Sequence, residues 1–175
     1  IGGPAYRIGV GGGAASSRVS DKESAALDFN AVQRGDAEMG QKVNRVIRSC
    51  VELGKKNPIL SIHDQGAGGN GNVLKEIIDR MGANIDIGKI RLGDKTLNDI
   101  ELWLAEYQES NAVLIFKDSV ELLQRICDRE SVNIDIVGEI TGDGLINIVN
   151  GDRKVVTNYK HNDECEMKTY YLQSD

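Results

Sequence analysis

The chain has 175 residues, of which 40% are hydrophobic and 27% are charged. This is the composition of an ordinary globular protein with enough residues for one sizeable core. A formal net charge of −6 argues against nucleic acid or an anionic membrane surface as the main partner. Aromatic residues make up 5% of the chain, which argues against a base-stacking platform. No apolar run approaches the roughly 20 residues of a transmembrane helix, and no signal peptide is recognisable.

The three cysteines, Cys50, Cys127 and Cys165, are far apart and form no C-x-x-C pair. An odd number without metal-binding or disulfide spacing indicates a reducing compartment, so we expect a cytoplasmic protein. Cys50 and Cys127 lie in helical patterns, where a free cysteine usually packs as a small apolar residue. The chain starts with Ile1 in the middle of a glycine-rich motif, which predicts that it is part of a longer polypeptide.

The first elements are a predicted strand over residues 6–10 and a helix that begins after Asp36. Three glycines at 11–13 follow the strand and could either cradle an anion or form a tight connection. Asp36 is a suitable N-cap, and Gly54 is typical of a helix C-terminus. Gln33 lies just before this helix, where a ligand could meet its positive end. A solvated loop residue is the alternative reading of Gln33.

Residues 61–72 form the most informative stretch of the sequence, with the letters SIHDQGAGGNGN. A short apolar strand ends in His63 and Asp64, a glycine-rich turn follows, and a helical pattern begins near Val73. A strand end, a glycine turn and a helix N-terminus together can hold an anion or a metal-bridged phosphate. Asp64 is the one strongly metal-binding group in the turn. A hydrogen-bonded structural role is favoured for His63.

Strands and helices continue to alternate along the rest of the chain. We predict strands over residues 85–87, 112–116, 134–137, 145–149 and 155–156, a helix over 96–104, and a helix opened by an Asp118/Glu121 capping box. A glycine turn at 142–144 predicts a hairpin. This order of strands and helices along the chain favours an α/β (α+β) fold, a two-layer sandwich with a mixed sheet and helices packed on one face. We expect residues 1–160 to form a single lobe and the polar residues 161–175 to form a tail or linker.

Elimination of other chemistries leaves a site built from oxygen ligands. Two histidines, His63 and His161, and scattered cysteines offer neither a nucleophile–base pair nor a zinc ligand set. The remaining groups are Asp64, Gln33 and the polar residues 106–109, which suit Mg²⁺ and a phosphorylated substrate. For residues 106–109, an exposed bend between a helix and a strand is the alternative explanation.

Four blocks of residues in the same order resemble the phosphoribosylformylglycinamidine synthase family, in its large form. They are GGPA with IGVGGGAASS at residues 2–17, DFNAVQRGD at 28–36, SIHDQGAGG at 61–69 and EYQE at 106–109. The chain is similar to the second lobe of the first synthetase half, which itself resembles the C-terminal lobe of aminoimidazole ribonucleotide synthetase. Residues after about 137 match the family only loosely.

The resemblance implies an ATP-dependent carbon–nitrogen ligase that makes formylglycinamidine ribonucleotide from formylglycinamide ribonucleotide, ATP and glutamine-derived ammonia in purine biosynthesis. It implies that Asp64 binds Mg²⁺ and that Gln33, Glu106, Tyr107 and Gln108 contact substrate. Tyr107 stands where the family has a serine. The catalytic histidine, the main ATP contacts and the glutaminase triad of the family belong to adjoining synthetase and glutaminase domains. The segment alone is therefore expected to be inactive, with no role for nucleic acid or a membrane.

Two other hypotheses remain at this point. The chain could be a structural or interaction lobe of a large multidomain enzyme, with glycine turns that serve only close packing. It could also be a free-standing module that binds a phosphosugar, which the start of the chain within a motif disfavours.

Overall fold

A computed structural model describes residues 1–7, 35–66, 68–107 and 109–160 of the chain. Several predicted features lie outside these residues: most of the strand at 6–10, the glycines at 11–13, the site residues Gln33 and Gln108, and the tail at 161–175. None of the helices in the described part is long and apolar enough to cross a membrane.

The described chain contains α-helices and β-strands in two sheets, which confirms the predicted α+β class. The helices are α1 (Ala37–Glu52), α2 (Gly69–Ile78), α3 (Asp99–Leu104) and α4 (Val120–Glu130). The strands are β1 (Ile59–Asp64), β2 (Ala83–Asp86), β3 (Asn111–Ile115), β4 (Gly138–Ile140), β5 (Leu145–Asn150) and β6 (Arg153–Lys160). Short 3₁₀ turns occur at Gly54–Lys56, Asp79–Met81, Ile87–Lys89 and Lys117–Ser119.

The chain divides into two compact units, the first formed by Ile1–Ile77 with Ile90–Ile136. In this unit β1 and β3 pair antiparallel, with Asp64 opposite Asn111 at one end. Helices α1 and α4 pack against each other and against the strands through an apolar core. The buried members are Val43, Val46, Cys50, Leu123, Ile126, Cys127 and Val132, and Ile59, Val113 and Ile115 of the strands pack against them. The two helices thus lie on one face of the strands, as the sequence predicts for a two-layer arrangement.

Local signals in the sequence explain where α1 begins and ends. The side chain of Asp36 accepts a hydrogen bond from the Met39 amide at 2.9 Å, which confirms the predicted N-cap. Gly54, one residue after the C-cap, has a φ of +57°, the left-handed conformation that glycine adopts easily. The predicted buried packing of Cys50 and Cys127 is also confirmed, because both are fully buried in this core.

The second unit is formed by Ile78–Lys89 with Val137–Asp175, and its described residues hold a four-stranded mixed sheet in the order β4-β2-β5-β6. Strand β2 pairs parallel with β5 and antiparallel with β4. Strands β5 and β6 pair antiparallel, and Asn150 lies opposite Arg153 across a two-residue turn. Ile85, Ile146 and Ile148 are among the buried residues of this unit.

The predicted hairpin across residues 142–144 is wrong, because β2 lies between β4 and β5. The turn instead passes over the beginning of β2, where the Gly144 amide donates to the Met81 carbonyl at 3.3 Å. The strand predicted at 134–137 is also wrong, and the strand begins at Gly138. A β-carbon at Gly138 would lie 2.4 Å from the Asn84 carbonyl oxygen, so glycine permits the close approach of β4 to β2.

The predicted capping box at Asp118 and Glu121 does not form. Residues Lys117–Ser119 form a 3₁₀ turn, and Ser119 is the N-cap of α4 without a side-chain hydrogen bond. The carboxylate of Glu121 instead pairs with Arg125 at 2.7 Å, one helical turn later. A capping box is present at α3, where Asn98 and Glu101 bond to each other's backbone.

Candidate functional site

Asp64 ends β1 and offers an accessible carboxylate at the point where the glycine turn begins. Its side chain is 90% exposed, and its Oδ1 lies 4.0 Å from Nδ1 of His63. Because the backbone of Asp64 is paired with Asn111 of β3, the position of the carboxylate is set by the sheet while its oxygens stay open to solvent. Such a group can bind a cation without giving up an internal hydrogen bond.

The glycine turn brings the start of α2 against the end of α3. Gly69 has a φ of +56° and is buried, and a β-carbon there would lie 2.3 Å from the Ala105 carbonyl oxygen. A β-carbon at Gly71 would lie 2.8 Å from Nε1 of Trp103. Any larger residue at either position would push α2 away from α3. The glycines therefore hold the turn against the segment that leads to residues 106–109.

Gln65 makes three hydrogen bonds, two of which join the glycine turn to that segment. Its amide N–H donates to the Ser110 carbonyl at 2.9 Å, and its side-chain oxygen accepts from the Tyr107 amide at 2.5 Å. Its side-chain nitrogen donates to Oδ1 of Asn70 at 2.7 Å. Asn70 in turn donates to the Leu102 carbonyl at 2.8 Å. The block at 61–69 and the block at 106–109 are thus parts of one hydrogen-bonded structure.

Tyr107 is a packed residue within this structure. It is 3% exposed, and its hydroxyl donates to the Glu101 carbonyl at 2.6 Å near the end of α3. Tyr107 thus holds the chain that follows α3 against this helix. Glu106, one residue earlier, is partly exposed.

Glu109 closes the same segment in an unusual conformation. Its φ is +51°, a left-handed value that is uncommon outside glycine. Its carbonyl accepts from the Gly3 amide at 3.3 Å, and its side chain lies beside Gly40, where a β-carbon would be 3.3 Å from Cγ of Glu109. The carboxylate oxygen Oε2 is buried and has no hydrogen-bond partner among the residues that the structure describes.

The contact with Gly40 places the first turn of α1 beside residues 106–109. Gln33 precedes α1 by four residues, but its own position lies outside the described part of the chain. Of the three predicted places, the structure therefore brings together the turn at 64–70 and the segment at 106–109. It also brings the beginning of α1 to that segment.

His63 forms an ion pair with Glu76 of α2. Its Nε2 lies 2.6 Å from Oε2 of Glu76, and its Nδ1 lies 2.6 Å from the Asp64 carbonyl. The hydrogen bond to that carbonyl, followed by the charges of Glu76 and Asp64, raises the pKa of His63. The protonated ring donates from both nitrogens, and Asn72 donates to the other oxygen of Glu76 at 2.8 Å. This network ties β1 to α2, in line with the structural role favoured by the sequence.

The residues around Asp64 suit Mg²⁺ that is bound through one carboxylate, and they do not suit a metal held entirely by protein side chains. No group of three or more histidine, cysteine, aspartate or glutamate side chains that could hold a metal is present within the ranges that the structure describes. Those residues therefore do not form a complete metal cage. One exposed carboxylate does suit Mg²⁺, which usually keeps several waters and binds through one or two carboxylates and substrate phosphates.

Sequence reasoning gave no role to Gln65 or Asn70, and it included Glu109 only as one of the polar residues 106–109. The signal for Gln65 is its place between a strand end and a glycine turn, but its partners lie about 40 residues away and are reached only through the fold. No local pattern reveals the left-handed backbone or the buried oxygen of Glu109.

Comparisons with known proteins bear on the family of the chain and on its fold. Residues 1–149 match the family described as "AIR synthase related protein, C-terminal domain". The chain is 60% identical over 149 residues to "Probable phosphoribosylformylglycinamidine synthase, chloroplastic/mitochondrial" of Arabidopsis thaliana, with 85% of the chain and 11% of that protein covered. It is 59% identical over 150 residues to the human phosphoribosylformylglycinamidine synthase, again with 85% and 11% covered. The chain thus spans about a tenth of the length of these relatives.

A likeness to solved structures extends over nearly the whole chain. The structure titled "T. maritima PurL complexed with FGAR" matches with a TM-score of 0.77 and 21% identity, covering 98% of this chain and 29% of that one. The structure of T. maritima PurL complexed with ATP matches with a TM-score of 0.70 and 19% identity, covering 89% and 23%. The resemblance to phosphoribosylformylglycinamidine synthase is confirmed, and the chain belongs to the family of AIR synthase related C-terminal domains.

Proposed function

We propose that this chain is the lobe that binds substrate and Mg²⁺ in an ATP-dependent, glutamine-using ligase. The enzyme converts formylglycinamide ribonucleotide to formylglycinamidine ribonucleotide in the cytoplasm, in de novo purine biosynthesis. Residues 1–160 act as one lobe, and residues 161–175 lead to adjoining domains. The synthetase and glutaminase domains of the same polypeptide supply the main ATP contacts and the ammonia, so the segment is inactive alone.

One observation carries this proposal: Gln65 bonds to both Tyr107 and Ser110, at 2.5 and 2.9 Å. Two of the sequence blocks are thereby held together beside the accessible carboxylate of Asp64. The close contact of Gly69 with the Ala105 backbone also holds the glycine turn against the chain just before residue 106. Rigid placement of polar groups around a binding position is what a substrate site requires.

The reaction transfers the γ-phosphoryl group of ATP to the amide oxygen of the substrate, with release of ADP. Ammonia then attacks the amide carbon, and phosphate leaves with that oxygen. Asp64 would hold the Mg²⁺, which when bound neutralises phosphate charge. Because the chain is acidic, with a formal net charge of −6, a cation held by Asp64 would offset the repulsion between the chain and the phosphate groups. In this proposal Glu106, Gln108 and Gln33 orient the substrate by hydrogen bonds, and Tyr107 holds the segment that carries them.

The test is Asp64→Asn in the full-length enzyme, with separate assays of the synthetase and glutaminase reactions. We expect synthetase turnover to fall about 100-fold or more, the size of effect seen when one electrostatic contact to a transition state is removed. The glutaminase reaction should remain chemically competent. Asp118→Asn is the matched control, since Asp118 is exposed in a 3₁₀ turn outside the proposed site. Activity near wild type at saturating Mg²⁺ would remove Asp64 from the metal role.

A structural or interaction lobe is the second candidate, and the burial of Tyr107 favours it. A side chain that is 3% exposed and bonded to Glu101 contributes to packing, as do the contacts of Gly69 and Gly71. On this reading the full-length enzyme binds its substrate elsewhere. Glu106→Ala then leaves the Kd for formylglycinamide ribonucleotide with Mg²⁺ unchanged, whereas the substrate lobe predicts weaker binding in this variant.

A further inference from the structure

Glu109 combines two unfavourable features at the end of the candidate substrate segment. Its backbone is left-handed, with a φ of +51°, and its Oε2 atom is buried with no hydrogen-bond partner in the described part of the chain. A non-glycine residue in this conformation lowers stability. A buried carboxylate oxygen without a donor lowers it further.

The surrounding chain is adapted to this residue. A β-carbon at Gly2 would lie 2.1 Å from the Glu109 carbonyl oxygen, so the absence of a side chain at Gly2 makes room for that carbonyl. Gly40, in the first turn of α1, makes similar room for the Glu109 side chain, because a β-carbon there would lie 3.3 Å from Cγ. Two glycines on separate segments therefore accommodate one strained glutamate.

The position of Glu109 connects it with the proposed site. It follows residues 106–108 directly, and the carbonyl of the next residue, Ser110, accepts from Gln65 at 2.9 Å. Strained backbone conformations are concentrated at functional sites, and a buried polar group without a partner calls for an explanation such as a functional role or a bound species.

The chemistry of the group restricts what it can bind. An ionised carboxylate only accepts hydrogen bonds, and so does a fully ionised phosphate. The partner of Glu109 is therefore a donor, such as a hydroxyl or an amide N–H. A phosphate group would instead be matched by a cation held at Asp64.

We propose that Glu109 is a further binding residue of the substrate site, whose carboxylate accepts a hydrogen bond from an uncharged O–H or N–H group of the phosphoribosyl substrate. This inference rests on the proposed function. It assigns Glu109 a task different from that of Asp64, since Glu109 contacts the sugar or the amide.

The test is steady-state kinetics and thermal unfolding of the full-length enzyme carrying Glu109→Gln. We expect the KM for formylglycinamide ribonucleotide to rise about 10-fold or more, as for loss of a hydrogen bond to a charged group, with a smaller change in kcat. The melting temperature should stay the same or rise, because an amide replaces a carboxylate whose Oε2 atom is buried without a partner among the described residues. Glu121→Gln is the matched control, since the Glu121 side chain is 85% exposed and pairs only within α4.

An analogue without the ribose 2′-hydroxyl identifies the donor. If that hydroxyl is the donor, the KM of Glu109→Gln for the analogue is no higher than the KM raised by either change alone, because both changes remove the same hydrogen bond. If the two increases in KM multiply when the changes are combined, the donor is another hydroxyl or the amide. That result equally supports an uncharged O–H or N–H group as the partner of Glu109.

An unchanged KM in Glu109→Gln would overturn the inference, and a lowered melting temperature together with that KM would make Glu109 a packing residue. Should the variant be less stable, calorimetric titration with substrate well below its melting temperature gives the same decision from the Kd. These failures are distinct from failure of the proposed function, in which the wild-type enzyme itself does not turn over formylglycinamide ribonucleotide.

Discussion

Replacement of Gly69 by alanine tests whether the glycine turn is held in place by direct contact with the end of α3. The added β-carbon would lie 2.3 Å from the Ala105 carbonyl oxygen and 2.7 Å from the Leu104 carbonyl carbon. Both are backbone atoms, so neither can move aside by a change of rotamer. The turn or the end of α3 would have to shift.

The magnitude follows from two separate effects. The left-handed backbone at Gly69, with a φ of +56°, costs roughly 1–2 kcal/mol for a residue with a side chain. Overlap with atoms in a packed interior adds roughly 1–3 kcal/mol. We therefore expect Gly69→Ala to lower the free energy of unfolding by about 2–5 kcal/mol.

Two other glycines separate these effects in the same denaturation experiment. Gly54 has a φ of +57° but nothing within 4 Å of a β-carbon, so Gly54→Ala should cost only the backbone strain. Gly66 has neither a positive φ nor a neighbour within 4 Å. Gly66→Ala should be neutral or slightly stabilising, because alanine restricts the unfolded chain.

Urea denaturation monitored by far-ultraviolet circular dichroism gives the three unfolding free energies. The expected order of destabilisation is Gly69, then Gly54, then Gly66. A loss at Gly69 no larger than the loss at Gly54 would refute the contact with α3 as the reason for glycine. Since the same contact positions residues 106–109, Gly69→Ala should also raise the substrate KM of the full-length enzyme.

Two further predictions concern buried groups. Gln65→Leu removes the acceptor of the Tyr107 amide and the donor to Oδ1 of Asn70, so the free energy of unfolding should fall by about 2–4 kcal/mol. The control Gln124→Leu should lose less than about 0.5 kcal/mol, and equal losses in the two variants would argue against the Gln65 contacts. Burial raises the pKa of Cys127 to about 11. Because only the thiolate reacts, peptide mapping should show slow alkylation of native Cys127 at pH 8, faster as pH approaches 11; labelling at the unfolded rate would contradict this.

Features set by neighbouring residues could be predicted from the sequence. The cap at Asp36, the end of α1 at Gly54 and the strand and glycine turn around Asp64 all depend on contacts within a few residues. The α+β class follows from the alternation of helical and strand patterns. The capping box at Asp118 shows the limit of such signals, because a 3₁₀ turn at Lys117–Ser119 took its place.

Features set by distant residues could not be predicted in this way. A turn motif at residues 142–144 is compatible with a hairpin, but pairing of β2 with both β4 and β5 placed a third strand between them. The hydrophobic patterns of β4 and β5 do not specify which strand pairs with each of them. Burial of Tyr107 likewise depends on α3, and the bonds of Gln65 depend on a turn and a segment that meet only after folding.

The sequence by itself determined the family of the chain, its fold class and the local shape of the glycine turn, because each of these is written in residue identity or short-range spacing. Only the tertiary structure decided that Gln65 holds two blocks together and that Glu109 has a left-handed backbone and a buried carboxylate oxygen. Those properties arise from contacts between segments far apart in the chain, whose geometry no local pattern specifies.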